Sequence, residues 1–386
     1  MPLKESYVIW NNKGGVGKST LTFHIASHYS RRNPTEKVLV IDLCPQANVS
    51  MALLSSKRVP GSEQLSSLYN ANKTISFYLQ RSIEPGPVIK GREYLTAVHD
   101  FNDQMPSNLF LLCGDMYLEL VGRHLEHERG GVVLPRNNPW VNTTSSIKSF
   151  IEGKEGRVTG VTEINEEAEV NEDWVVFVDS NPAFSVYTEI ALAAAKKLII
   201  PINADDFSVA AVRAMLDLVY GIRQRNDEPE DFQAYREYMF SSKAAKYGLR
   251  RPQIHLLVNN RTTHLTTQTQ AETRAVKGFR AMGQKNLQVL FEAYRDHQEN
   301  FSPRDEMPEI NTIDKFQQLY FEDIRDFHTT AILCLHTGCP LGALSGTVNF
   351  ADTGASVKVD QKKKKPTWSV SRDLLESYNF AFSCIP

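Results

Sequence analysis

The residues best suited to chemistry lie in a glycine-rich stretch near the start of the chain. An apolar run, Tyr7 to Trp10, leads into this stretch, and a helix-compatible segment follows it. Glycines at this spacing let backbone N–H groups turn toward phosphate oxygens at a helix N-terminus. Lys18 would reach the β- and γ-phosphates, and the Ser19 hydroxyl would bind Mg²⁺. The alternative is an ordinary glycine turn. The predicted nucleotide-binding residues of the loop are Lys13, Gly14, Gly15, Val16, Gly17, Lys18, Ser19 and Thr20.

Two aspartates end apolar runs that are typical of buried parallel strands. Asp42 closes the run from Lys37, and Asp179 closes the run from Trp174. Ligands of α/β sheets bind at the carboxyl ends of such strands. Both carboxylates, with Ser19, are therefore candidate Mg²⁺ ligands, directly or through water. The alternatives are a helix cap or turn residue for Asp42 and a helix-starting residue for Asp179.

The loop departs from the usual phosphate-loop spacing in one informative way. That spacing requires glycine at position 12, which is Asn12 here, and a second lysine, Lys13, precedes Gly14. This pattern resembles the deviant Walker A loop of the ParA/MinD family of P-loop ATPases, with ParA-type partition ATPases as the most similar members. The stretch from Asp42 through Pro45, Gln46 and Asn48 resembles the family's first switch, and Asp179 with Pro182 resembles its second. The resemblance covers residues 1–55, 108–120, 174–261 and 314–344.

The resemblance implies ATP and Mg²⁺ as cofactors and a two-fold homodimer that sandwiches the nucleotide. It implies catalytic roles for Lys18, for Asp42 near the water shell of Mg²⁺, and for Lys13, which would reach the phosphates of the partner subunit. The family's first switch has a second aspartate where this chain has Cys44. Because a thiol without a strongly lowered pKa cannot replace a carboxylate base, we expect a weak ATPase.

The end of a late strand, residues 254–261, carries Asn259 and Asn260. In the family the equivalent strand end contacts adenine, so the resemblance implies a base contact from Asn260, with Asn259 as the alternate. Turn residues would give a similar pattern.

The expected function is an ATP-dependent dimerising switch in DNA partition or cargo positioning, with a partner protein that stimulates hydrolysis or docks on the dimer. One alternative is a regulatory ATP-bound scaffold with slow or absent hydrolysis, and another is a metabolic P-loop enzyme such as a small-molecule kinase. Non-specific DNA contacts would come from basic residues of the C-terminal half, although a solvated helix face explains them equally well. These residues are Lys243, Lys246, Arg250, Arg251, Arg274, Lys277 and Arg280.

Composition limits the alternatives. The net charge is −2, so nucleic-acid binding would need a local patch rather than bulk charge. The five scattered cysteines form no disulfide framework. The sequence has no apolar run of about 20 residues, the length that spans a bilayer. It begins with no recognisable signal peptide and ends without a basic amphipathic anchor. We therefore expect a cytoplasmic protein, in some states nucleoid-associated, without membrane attachment.

The fold class predicted is α/β: a doubly wound, mostly parallel sheet flanked by helices, as in deviant Walker A P-loop NTPases. Residues 1–345 would form the ATPase domain, with an irregular acidic insertion around 120–173, and residues 346–386 a C-terminal extension with a lysine run at 362–365. Helices are expected at 19–30, 63–68, 75–78, 117–127, 189–197, 212–219 with Ser208 as its cap, and 324–335. An irregular loop is expected at 129–144 and an exposed acidic segment at 152–173.

Overall fold

The computed structural model describes residues 3–83, 90–131, 138–152, 173–223, 233–262, 274–304, 310–325, 329–344, 346–350 and 355–359. Its centre is an eight-stranded sheet with the order β3-β4-β2-β5-β1-β6-β7-β8. Every pairing in that sheet is parallel except β3 with β4. The strands are β1 (Leu3–Ile9), β2 (Lys37–Leu43), β3 (Thr96–Ala97), β4 (Leu109–Leu112), β5 (Trp174–Ser180), β6 (Lys197–Ile202), β7 (Gln253–Thr262) and β8 (Phe321–Arg325).

Helices cover both faces of the sheet, because the strands alternate apolar side chains between two separate cores. One core lies between the sheet and α1 (Lys18–Arg32), and its strand residues include Val40, Phe177 and Val258. The other core takes the intervening residues, such as Ile41, Val178 and Leu257. The predicted doubly wound, mostly parallel fold is confirmed.

The remaining helices surround this sheet and range in length from six to 23 residues. In chain order they are α2 (Asn48–Leu54), α3 (Gly61–Asn70), α4 (Ile75–Ile83), α5 (Leu118–Arg129), α6 (Pro139–Thr144), α7 (Ser146–Ile151), α8 (Val186–Ala194), α9 (Asp206–Met215), α10 (Phe240–Tyr247), α11 (Arg274–Asp296), α12 (Ile313–Tyr320) and α13 (Thr329–Thr337). In the described part of the chain, no helix is long and apolar enough to cross a membrane.

The predicted irregular loop at 129–144 is wrong in its second half. Asn138 caps α6 by accepting a hydrogen bond from the N–H of Val141, and Pro139 occupies the first helical position. Trp140 of α6 is buried in the core on the side away from α1. The N-terminal part of the predicted insertion is therefore helical and packed.

Other predicted elements differ from the structure in their boundaries or caps. Ile324 lies in β8, which pairs with β7, so the helix expected at 324–335 begins only at Thr329. The helix expected at 189–197 is α8, and Lys197 already begins β6. Asp205, not Ser208, caps α9.

Several predicted features lie outside the described residues. These are most of the acidic segment, residues 153–172, and the lysine run at 362–365. Within the predicted C-terminal extension, Gly346–Phe350 (β9) and Ala355–Val359 (β10) form an antiparallel pair separate from the main sheet.

Candidate nucleotide-binding site

The glycine-rich loop joins β1 to α1 at the centre of the sheet, on its carboxyl edge. Gly15 and Gly17 have φ values of 72° and 85°, which L side chains rarely adopt. Asn11 anchors the start of the loop, because its side-chain amide donates to the carbonyl of Pro201 at 2.7 Å. Gly17 is the N-cap of α1 and offers no side-chain acceptor, and the first turn of the helix carries no acidic residue. This helix end is suited to an anion.

The ammonium group of Lys18 lies across the loop and donates to the carbonyl of Lys13 at 2.9 Å. Its side chain is largely buried, and this burial lowers its pKa, although the negative charge of Asp179 opposes the shift. A cation held in such a position needs a strong anionic partner. Phosphate oxygens at the end of α1 would meet that need.

The hydroxyl of Ser19 donates to Asp179 Oδ2 at 2.6 Å, and Thr22 Oγ1 lies 3.4 Å from the other carboxylate oxygen. Asp179 is fully buried at the end of β5. Burial first, and the nearby charge of Asp42 second, raise the pKa of Asp179 to about 7. A hydroxyl and two buried carboxylates are oxygen ligands of the type that Mg²⁺ prefers.

Asp42 lies directly opposite Asp179, because the β2–β5 register pairs these two residues. Its oxygens accept hydrogen bonds from the N–H of Cys44 at 3.0 Å, the N–H of Ser50 at 3.0 Å and the Ser50 hydroxyl at 2.7 Å. Burial raises the pKa of Asp42 to about 6 despite these bonds. A side chain at Gly114 would come within 2.8 Å of the carboxylate. The carboxylate of Asp42 therefore stabilises the first-switch segment through hydrogen bonds and also faces Asp179.

Sequence reasoning missed Ser50 as the main partner of Asp42, and no motif in the sequence marks it. Its hydroxyl also accepts a hydrogen bond from the N–H of Gly114 at 2.9 Å, which connects α2 to the end of β4.

Cys44 is buried beside the two aspartates. Burial, followed by the charges of Asp42 and Asp179, raises the pKa of its thiol to about 12. The thiol is thus protonated at neutral pH and does not supply the carboxylate chemistry of the second aspartate in the family's first switch.

The side chain of Lys13 extends to the start of α9. Its ammonium forms an ion pair with Asp205 and lies 3.4 Å from the Ser208 hydroxyl. It also lies 5.9 Å from the ring centroid of Phe207. Although partial burial acts in the opposite direction, hydrogen bonds from Lys13 and Ser208 hold the pKa of Asp205 below its usual value. The two lysines of the loop therefore have different surroundings.

Asn259 and Asn260, the predicted adenine contacts, point in different directions. The side-chain amide of Asn260 donates to the carbonyl of Val16 in the loop at 2.9 Å. The amide of Asn259 donates instead to Asp323 Oδ1 of β8 at 2.7 Å.

A cavity of about 930 Å³ opens beside the loop and extends between α2 and α13. Its lining combines loop residues with the first-switch segment and with apolar side chains from α2 and α13. Residues from each part include Gly15, Gly17, Lys18, Ser19, Thr20, Cys44, Gln46, Met51, Ile332 and Leu335.

Three of the predicted DNA contacts have ring or backbone partners in the fold. Lys243 lies over the rings of Trp140 and Tyr238, at 5.6 and 5.8 Å from the ring centroids, and Lys246 lies over Tyr247. Arg251 donates to the carbonyl of Tyr220 at 3.0 Å.

The other predicted DNA contacts divide between the end of α10 and α11. Arg250 and Arg280 are exposed, on separate elements. Arg274 and Lys277 lie at the start of α11, and their side chains are outside the described residues.

Comparison with known proteins agrees with this geometry. Residues 5–119 match a family model described as an AAA domain. The uncharacterized protein MJECL24 of Methanocaldococcus jannaschii is 25% identical over 222 residues, which are 58% of this chain and 68% of that protein.

Two solved structures of McdA from Cyanothece share the fold. The apo form has a TM-score of 0.54 at 14% identity and covers 99% of both chains. An ATP complex of an McdA variant has a TM-score of 0.55 at 14% identity and covers 100% of this chain and 97% of that one. The chain therefore carries an AAA domain over residues 5–119 within a fold that it shares with McdA.

Proposed function

We propose that this chain is an ATP-binding, ATP-dependent dimerising switch of ParA type, a weak ATPase that acts in DNA partition or cargo positioning. The observation that carries the proposal is the divergence of the two loop lysines. Lys18 lies inside the loop, where phosphate would bind, whereas Lys13 lies at the rim against α9. The position of Lys18 supports binding of nucleotide in its own subunit, and the position of Lys13 supports a contact outside that subunit.

The proposed cofactors are ATP and Mg²⁺. The end of α1, the loop N–H groups and Lys18 would hold the phosphates. Ser19, Asp42 and Asp179 would hold the metal, which supplies charge neutralisation during phosphoryl transfer. The raised pKa values of both aspartates support this role, since a divalent cation would offset the repulsion between two buried carboxylates.

Exposed apolar side chains support a second copy of the chain as the partner. Met116, Leu120, Phe207 and Ile332 have 71, 64, 77 and 62% of their surface exposed. Each lies in or just before the first turn of a helix that follows β4, β6 or β8, so all four lie near the sheet edge that carries the loop. Apolar side chains around a polar nucleotide site fit a face that another protein surface covers.

In the proposed dimer, Lys13 contacts the phosphates bound by the partner subunit. A positive charge there would stabilise both the dimer and the charge that develops during phosphoryl transfer. Asp205 holds Lys13 until that contact forms.

Cys44 favours a second candidate function, a regulatory scaffold in which ATP holds the dimer while hydrolysis is slow or absent. The protonated thiol supplies neither a base nor a carboxylate acceptor for the attacking water. In this case a partner protein would dock on the ATP-bound dimer.

DNA binding and the domain division remain parts of the proposal. We propose residues 1–345 as the ATPase domain with residues 346–386 as an extension.

The basic residues around α10 would contact DNA phosphates only in the dimer, so retention of DNA on filters should require ATP and should fall steeply with salt. If ATP does not alter retention, the DNA role is wrong.

The decisive experiment is size-exclusion chromatography with light scattering, with and without Mg²⁺–ATP. We expect the wild-type mass to double with ATP and the Lys13→Ala mass to remain that of one chain. Lys285→Ala is the matched control, because Lys285 forms a more exposed ion pair with Asp206 in the same region. A wild-type chain that stays monomeric with bound ATP would exclude the proposed switch.

A further inference from the structure

The cavity beside the glycine-rich loop has a second part, away from the residues that would bind phosphate. Helix α2 runs from the first-switch segment to this part, and its seven residues span about 10 Å. We call this part the distal arm. It lies between the end of α2, the segment that follows α2, and α13, and it is lined by Met51, residues 55–62, Leu335, Cys339 and Leu344.

The cavity carries positive charge at both ends. Lys18 lies at the loop end and Lys57 with Arg58 at the distal arm, and no described residue of the lining is acidic. Lys57 and Arg58 are exposed, and neither forms an ion pair with a described residue. Burial raises the pKa of the Cys339 thiol to about 11, and the charge of Lys57 opposes this shift, so the Lys57 ammonium lies near the wall of the arm. An anion in the arm would therefore meet cations that no described carboxylate neutralises.

The distal arm is formed by closely packed backbone. The hydroxyl of Ser55 accepts a hydrogen bond from the N–H of Gly61 at 3.0 Å. A side chain at Gly61 would clash with the carbonyl oxygen of Met51, and one at Gly338 would clash with the carbonyl oxygen of Ser55. The end of α2, the start of α3 and the end of α13 are thus held against one another, so the arm exists without a ligand.

The lining of the distal arm also has an apolar wall, which includes Met51, Leu335 and Leu344. A concave site with apolar walls and a few charged groups is typical of small-molecule binding. The guanidinium of Arg58 matches the geometry of a carboxylate or a phosphate group. Together these features suit a ligand that has an acidic group at one end and an apolar body.

We propose that the distal arm is a second binding site, which takes a small organic acid with a carboxylate or phosphate group joined to an apolar body. Lys57 and Arg58 bind the acidic group, and Met51 and Leu335 contact the body. The glycine-rich loop, with Lys18, binds a separate ligand. This site is additional to the proposed ATP site and does not depend on ATP hydrolysis.

The test measures the affinity of the full chain for acetate, hexanoate and hexyl phosphate by NMR titration, with and without saturating Mg²⁺–ATP. We expect hexanoate to bind about tenfold or more tightly than acetate, because its additional methylene groups are buried against the wall. We expect the same affinity in the presence of Mg²⁺–ATP. The comparison of hexanoate with hexyl phosphate identifies the preferred acidic group.

The variant that tests the charged end combines Lys57→Ala with Arg58→Ala. We expect its affinity for hexanoate and hexyl phosphate to fall about tenfold or more, with an unchanged unfolding temperature because both side chains are exposed. The matched control combines Lys73→Ala with Arg81→Ala, which removes the same charge from exposed positions outside the cavity and should bind like wild type. Lys18→Ala should also retain the affinity for hexanoate.

Several results would overturn the inference. They are a wild-type chain that binds neither hexanoate nor hexyl phosphate, equal affinities for acetate and hexanoate, competition of the probes with Mg²⁺–ATP, unchanged affinity in the double variant of Lys57 and Arg58, and an equal loss in Lys18→Ala. None of these results would exclude the proposed ATP-dependent switch. Conversely, a chain that binds hexanoate but not ATP would overturn the proposed function and leave the distal site standing.

Discussion

The two sides of the candidate site differ in where their polar groups are directed. On the side of the loop and β5, Lys18, Ser19 and Asp179 converge on the end of α1. On the side of β2, Asp42 accepts its hydrogen bonds from its own segment, and Cys44 carries a protonated thiol. We infer that the first side is organised for binding and that the second side limits hydrolysis.

The largest expected effect is on the binding side. Lys18→Ala removes the buried cation of the loop, and we expect affinity for Mg²⁺–ATP to fall by about 100-fold in calorimetric titrations. Lys73→Ala, at an exposed lysine before α4, is the control and should bind like wild type. Unchanged affinity in the Lys18 variant would mean that nucleotide binds elsewhere.

The next effect is on the hydrolysis side. Cys44→Asp supplies the carboxylate that the family has at this position, and we expect the rate of phosphate release to rise about tenfold or more. The same change adds a third buried carboxylate beside Asp42 and Asp179, so we also expect a lower unfolding temperature without Mg²⁺. Cys44→Ser, which adds no charge, should not raise turnover. If Cys44→Asp does not raise it either, Cys44 is not the limiting feature.

The third effect is a pH dependence of stability without metal. Because the pKa of Asp179 is raised to about 7, the folded chain retains a proton that the unfolded chain releases above its ordinary pKa of 3.8. The free energy of unfolding should therefore fall as the pH rises from about 4 to about 7.

Asp179→Asn tests this dependence. At pH 8 without Mg²⁺ we expect the variant to be more stable than wild type by on the order of 1 kcal/mol, measured by urea unfolding. We also expect Mg²⁺ to stabilise the wild-type chain more than the variant. A free energy of unfolding that rises between pH 4 and pH 7 would contradict the raised pKa of Asp179.

The smallest effect should come from Ser50→Ala. The change removes a buried hydrogen bond to Asp42 and leaves the N–H of Gly114 without its acceptor, which costs about 1 kcal/mol of stability. Affinity for ATP should stay the same, because Ser50 lies on the β2 side. Ser66→Ala, at an exposed serine of α3, is the control. A large loss of affinity would show that the two sides are coupled.

The parts of the molecule that sequence predicts well are those set by local pattern. The loop, its flanking strand and helix, and the strands that end at Asp42 and Asp179 follow from apolar runs and glycine spacing. Asn138 and Pro139 are typical of a helix N-terminus, so local pattern also predicts the start of α6, in contrast to the loop expected at 129–144.

The parts that sequence predicts poorly depend on distant pairing. Ile324 lies in a helix-compatible segment but becomes strand because β8 pairs with β7. The bond of Ser50 to Asp42 and the enclosure of Asn259 by Asp323 arise only in the folded chain. Strand alternation alone could have separated Asn259 from Asn260, since adjacent strand residues cannot both face the loop.

The ion pair between Lys13 and Asp205 has a consequence for how the proposed dimer distinguishes nucleotides. Association would replace the ion pair of Lys13 with Asp205 by an ion pair with phosphate. The free energy that Lys13 contributes to association is therefore the difference between these two ion pairs. A triphosphate of the partner subunit offers Lys13 more negative charge than the single carboxylate of Asp205. A diphosphate lacks the terminal group, and Lys13 then remains with its own carboxylate. The ion pair between Lys13 and Asp205 within one subunit would thus permit association when a triphosphate is bound and oppose it when a diphosphate is bound.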